Sequence, residues 1–143
     1  MLKIIRKNKF IIGIILAGAV LAGFITWIYS VDSSQNAEIV EYIESVGWEI
    51  DKRPVEISYL TIPKEFDAIY NNYNTYQKEA GFDLASFKGM RAVRYSYVIL
   101  NHESSNVRAN VIAADGKIIA ADISSTVKGG FMHAINNISN MVR

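Results

Sequence analysis

The stretch VRANVIAADGKIIAADIS, residues 107–124, decides how this chain folds. Val107 to Ala114 and Lys117 to Ser124 flank Asp115-Gly116, a strong two-residue hairpin signal because both central positions of such a turn need positive φ. That turn pairs Ala114 with Lys117. Carried on without interruption, the register sets Ile112 opposite Ile119 and Ala109 opposite Asp122. Asp122 then shares a strand face with Ile118, Ala120, Val111 and Ala113. An acid on an apolar face should have a raised pKa unless Arg91, Arg94 or Arg108 meets it. The alternative places Asp122 at the sheet edge beside Ser124-Ser125, solvated or capping.

Upstream, Val93, Tyr95, Tyr97 and Ile99 alternate with Arg94 and Ser96, which predicts a half-buried strand. A polar turn, NHESSN at 101–106, joins it to the hairpin. Pro54 to Ile62 reads as a further strand, with Val55, Ile57 and Tyr59 on one face. Pro63 suits the first turn of a helix running from about Lys64 to Ala80 and stopped by Gly81. The stripe of that helix is Phe66, Ile69, Tyr70, Tyr73, Tyr76 and Ala80. In the loop GFDLASFKG at 81–89, Phe82, Leu84 and Phe87 are expected to plug the core edge. An earlier helix starts at Ala37, with Ile39, Val40, Ile43 and Val46 inward, Asn36 as N-cap and Gly47 as stop. Gly129-Gly130 breaks the chain before a short closing helix over Phe131 to Val142. The fold class is therefore α+β: an antiparallel sheet of about four strands packed by helices and preceded by one transmembrane helix.

That membrane segment is FIIGIILAGAVLAGFITWIY, residues 10–29, which carries no charge. At the helical rise it spans about 30 Å, the thickness of the hydrocarbon core. Lys3, Arg6, Lys7 and Lys9 precede it and Asp32, Glu38, Glu41 and Glu44 follow, so the positive-inside bias puts the N-terminus in the cytoplasm. The expected organisation is a basic cytoplasmic tail at 1–9, a signal-anchor helix at 10–30, a polar linker at 31–36 and an extracytoplasmic domain at 37–143. Phe10 and Gly18 belong to the anchor, and Trp27 and Tyr29 form its outer aromatic belt. Cleavage as a signal peptide near Ala19 or Ala22 is the alternative, giving a secreted domain. Small residues at four-residue spacing, such as Gly18 with Ala22, would suit a homodimer through this helix.

Composition excludes several classes. There is no cysteine, hence no disulfide, thiolate metal site or thiol nucleophile. Four of the 15 basic residues precede the apolar run, so 11 basic residues face 14 acidic ones from Asp32 onward, a balance of about −3. Nucleic acid is a poor partner for such a domain. No catalytic, cofactor or metal signature stands out. Ser125-Thr126-Val127-Lys128 matches S-x-x-K without the helix start and partner motifs that chemistry needs. His102 and His133 could share a metal with Glu103, but they lie far apart in the sequence. Asn137-Ile138-Ser139 is a glycosylation sequon, with meaning only in a eukaryotic secretory pathway. Tyr70, Tyr73, Tyr95 and Tyr97, with Asp122, are the candidate ligand groove. Tyrosines at such positions, Tyr76 included, otherwise form the core with hydroxyls at its rim.

Several stretches carry a resemblance: GWEI at 47–50, IPKEFDAIYNNYNTYQKEAGFDLASFKG at 62–89, RYSYVI at 94–99, NVRANVIA at 106–113 and GGFMH at 129–133. Together they resemble a bacterial domain-of-unknown-function family, number four-eight-three-zero. The resemblance implies a short exported or membrane-anchored protein of a Gram-positive bacterium, with no activity or site to carry over. The sequence departs from the expected pattern at Ala120-Ala121, where glycines are expected. The reading favoured at this point is a non-catalytic interaction module at the cell envelope, engaging a protein or wall component. A sugar- or peptide-binding module is the alternative, and a hydrolase using Asp122 or Ser125 comes last. A deep pocket with convergent tyrosine hydroxyls would favour the ligand binder, and a flat apolar patch the interaction module.

Overall fold

Asp115 and Gly116 take φ of 49° and 71°, the positive values that a two-residue hairpin turn demands. Around this turn the computed structural model, which describes residues 33–139, builds a sheet. Helix α1 covers residues 33–45. Next come β1 (Glu56–Thr61), α2 (Ala68–Glu79), a 3₁₀ turn (Leu84–Phe87), β2 (Arg91–Val98), β3 (Val107–Ala114), β4 (Lys117–Ser125) and β5 (Met132–Ala134). The strands lie in the order β1-β2-β3-β4-β5, and every neighbouring pair is antiparallel. From Glu38 onward the chain forms one compact unit.

Alternation along the strands gives the sheet two faces. On the first, Tyr95, Tyr97, Ala109, Val111, Ala121 and Ile123 bury against Ile39, Val40 and Ile43 of α1 together with Trp48. The Trp48 indole N–H donates to the Ile135 carbonyl at 2.7 Å, which fastens the chain after α1 to the chain after β5. On the second face, Ala92, Ile112, Ala114 and Ala120 pack with Ile62, Leu84 and the flank of Tyr70 and Tyr73. Helix α2 is held at the β4 edge by Gln77, fully buried, whose Oε1 accepts the Ala121 N–H at 2.7 Å. This cover reaches only the half of the second face nearest the hairpin turn.

Several expectations need correction. The sheet has five strands: residues 132–134, assigned to a closing helix, pair with β4. Gly129-Gly130 therefore forms a hairpin loop, in which a Cβ at Gly130 would fall 2.4 Å from the Ser125 Cβ. Residues 33–36, expected in the linker, are helical, so Asn36 is no N-cap. Helix α2 starts later than Lys64, because the Asp67 carboxylate accepts the Tyr70 N–H at 2.7 Å and caps it. Of the expected stripe, Phe66, Tyr70, Tyr73 and Ala80 pack against the cores, whereas Ile69 is 79 % exposed and the buried residues of the helix are Asn74 and Gln77. Docking engages both amides: Asn74 bonds the Asp83 carboxylate and the Leu84 N–H, while Gln77 uses its oxygen on β4 and keeps its buried Nε2 without a partner among the described residues. The face of β1 carrying Ile57 and Tyr59 is exposed, because β1 is an edge strand beyond the reach of the α1 layer. The anchor at 10–30 and the basic tail at 1–9 lie outside the described residues. Among the described residues no helix is long and apolar enough to cross a membrane.

Replacing Trp48 with phenylalanine removes the donor that the buried Ile135 carbonyl depends on. The expected cost is roughly 1–3 kcal/mol, read by chemical denaturation, together with faster amide exchange across residues 132–134. Unchanged exchange there would mean that the tail is held by other contacts.

Candidate functional site

The hairpin register slips once. Ile112 pairs with Ala120, but Ala113 pairs with Ile118, so Ile119 is an extra residue in β4. Such a bulge turns every later β4 side chain to the other face relative to β3. Asp122 consequently lies opposite Asn110, not Ala109, and leaves Val111 and Ala113 for the second face, where the polar residues of β2 and β3 point.

Those residues form a closed network. The Ser96 hydroxyl donates to Asn110 Oδ1 at 2.7 Å. The Asn110 amide donates to Asp122 Oδ1 at 2.9 Å and to Ser124 Oγ at 2.8 Å. From α2 the Tyr73 hydroxyl donates to Asp122 Oδ2 at 2.9 Å. Asp122 is 2 % exposed, and burial pushes its carboxyl above the ordinary aspartate range. Hydrogen bonds from Asn110 and Tyr73, and the charges of Arg94 and His133, pull it partly back. Burial, with the Asp122 charge beside it, drives the Tyr73 phenol well above the ordinary tyrosine range.

Over this network lies a cleft of about 730 Å³. Its floor crosses the sheet from Ser124 and Asp122 through Asn110 to Arg94 and Ser96, with Tyr70 and Tyr73 at the side. Arg94 contacts Glu56 at 3.2 Å across β2 and β1. Arg108 enters the lining from β3 and spends one N–H on its neighbour's carbonyl, Val107 O, at 3.0 Å.

Of the residues singled out in the sequence, Tyr70, Tyr73 and Asp122 come together at this cleft. Tyr95 and Tyr97 lie on the other face, buried in the core beneath α1. Ser125 ends a strand and does not begin a helix, so the S-x-x-K match lacks its geometry. His102 and His133 each stack on Phe131, at 5.7 and 5.3 Å, and His102 also stacks on Trp48 at 5.8 Å. Among the described residues no group of histidine and acidic side chains could hold a metal ion. The anchor residues Phe10, Gly18, Trp27 and Tyr29 lie outside the described residues. Sequence reasoning missed Asn110, Ser96, Ser124 and Arg108 as site residues. Their signal was present as polar residues at alternate positions of β2, β3 and β4, but the bulge had to be known before they could be placed on one face.

A family model described as a domain of unknown function (DUF4830) matches residues 42–123, more than half of the chain. The matched span contains Arg94, Ser96, Arg108, Asn110 and Asp122. No curated protein and no solved structure matches the chain.

The raised Asp122 pKa has a definite sign. Well below about pH 4 the carboxyl is neutral in folded and unfolded chains alike. As pH rises, the unfolded chain ionises first, so stability falls until the folded carboxyl ionises too. Asp122→Asn keeps a hydrogen-bonding amide there and removes this contribution. Its melting temperature should fall less steeply than that of the parent as pH rises from about 4 toward neutrality. Parallel slopes would show that Asp122 is not held in the buried state described.

Proposed function

The chain belongs to the family described as a domain of unknown function (DUF4830), and from that premise we propose that its folded domain is a non-catalytic module binding a small ligand in the cleft. The supporting observation is the cleft itself. It is concave, falls within the volume range of small-molecule sites, and is floored by side chains whose rotamers a hydrogen-bond network fixes in advance. Pre-set side chains lower the ordering cost of binding. A binding role fits the chemistry better than catalysis: both Asp122 oxygens already accept hydrogen bonds, and among the described residues no base stands within hydrogen-bonding distance of Ser124 or Ser125. In this reading the apolar run at 10–30 tethers the domain to the outer side of the cell membrane, with the basic tail inside. Confinement near the bilayer raises its effective concentration for a ligand found there.

A second reading, docking of an envelope protein, draws on β1. Val55, Ile57 and Tyr59 are 55 %, 45 % and 85 % exposed along an open sheet edge, the kind of surface that another chain can pair with.

The full-length chain, isotope-labelled and titrated with neutral sugars, small organic acids and short peptides, distinguishes the two. The expected result is saturable shift changes at Ser96, Asn110 and Ser124 for at least one compound class. Perturbations confined to Ile57, Ser58 and Tyr59, or no saturable change with any compound at millimolar concentration, would count against the cleft.

A further inference from the structure

We infer that the ligand of the cleft carries an oxyanion, a carboxylate or a phosphate, seated against Arg108 and the Ser124 hydroxyl. The inference rests on the cleft being a ligand site and goes on to name what that site selects.

The argument is a count of hydrogens and lone pairs. Ser96 has spent its hydrogen on Asn110, Asn110 has spent both amide hydrogens on Asp122 and Ser124, and Tyr73 has spent its own on Asp122. The interior network thereby occupies the carboxylate, the one strong acceptor of the floor. Beside the Glu56 carboxylate, which Arg94 engages, the cleft keeps several unspent donors. Ser124 accepts from Asn110, so its own O–H is unspent. Tyr70 lines the cleft with a hydroxyl that has no hydrogen-bond partner among the described residues. Arg94 gives one nitrogen to Glu56, while its Nε is buried without an acceptor. Arg108 bonds only the Val107 carbonyl and has no carboxylate partner among the described residues.

Charge points the same way. The lining holds two cations and two carboxylates. Glu56 pairs with Arg94, and Asp122 is enclosed by its own donors. Arg108 is the cation left without a counter-charge, and it sits opposite Ser124 in the β3–β4 register. A guanidinium beside a free hydroxyl matches the geometry of an oxyanion, which can take two parallel N–H bonds and one O–H bond. The Asp122 carboxylate lies next along the floor, separated from the Ser124 hydroxyl by the Asn110 amide that bonds both, and that amide, the Tyr73 hydroxyl and the arginine charge offset its repulsion. A neutral sugar would meet the same donors but leave Arg108 uncompensated.

The test uses the full-length chain and three probes: N-acetylalanine, its neutral amide N-acetylalaninamide, and inorganic phosphate. Binding is followed by chemical shifts of Ser124 and of the arginine side-chain N–H groups. The acid or phosphate should bind at least about tenfold more tightly than the amide. Arg108→Gln should abolish that preference, and Ser124→Ala should reduce it, with thermal melts confirming that both variants fold. Preference for the acid identifies a carboxylate ligand, and preference for phosphate a phosphorylated one. Binding of the acid and of phosphate no tighter than that of the amide within the cleft would overturn this inference while leaving the cleft as a ligand site. Shifts located away from the cleft would overturn both. An acid preference that survives Arg108→Gln, or no binding by any of the three probes, would also overturn the oxyanion assignment.

Discussion

One extra residue in β4 governs the arrangement of this domain. Without the bulge at Ile119, β3 and β4 would stay in the register set by the Asp115-Gly116 turn, and Asp122 would share a face with Val111 and Ala113. There it would meet the apolar layer beneath α1, where no donor waits and an unpaired carboxylate is costly. With the bulge, apolar residues of both strands serve the first face, while Asn110, Asp122 and Ser124 gather on the second. The same slip thus supplies a dry core on one side and a polar floor on the other.

The two faces are closed differently, and this is what leaves room for a site. The first is sealed by α1, Trp48 and the chain after β5, tied together by the indole hydrogen bond to Ile135. The second is covered only near the hairpin turn, by α2 and the loop carrying Leu84. Helix α2 is held by polar anchors more than by an apolar stripe. Gln77 binds the β4 backbone where β5 no longer reaches, and Tyr73 binds Asp122. These anchors fix the side of the cleft relative to its floor, so a ligand there would meet side chains already in position.

Much of the fold was legible in the residues, and the limits of that legibility have physical causes. The Asp-Gly turn, the alternation from Val93 to Ile99 and the apolar face of the first helix each depend on local preference, and each formed. Two kinds of feature did not follow local rules. The stripe on α2 held at Phe66, Tyr70, Tyr73 and Ala80 but not at Ile69, and long-range hydrogen bonds buried Asn74 and Gln77 beside it, which hydrophobic periodicity cannot register. Residues 132–134 became a strand because the β4 edge offered partners, although their spacing suited a helix. Of the residues chosen as a groove from the sequence, Asp122, Tyr70 and Tyr73 line one cleft, while Tyr95 and Tyr97 lie in the core on the other face. Arg108 was named only as a possible counter-charge to Asp122, and the pairing of Asp122 with Asn110 was missed because a bulge leaves no signature in composition.

The central claim is therefore the shifted register that sets Asp122 against Asn110. Nuclear Overhauser contacts of the Asn110 side-chain amide protons test it most directly. The account predicts cross-peaks from these protons to the β-protons of Ser124 and Ser96. Contacts from the Ala109 methyl to the Asp122 β-protons, as an uninterrupted hairpin would give, would contradict it and remove the floor of the cleft.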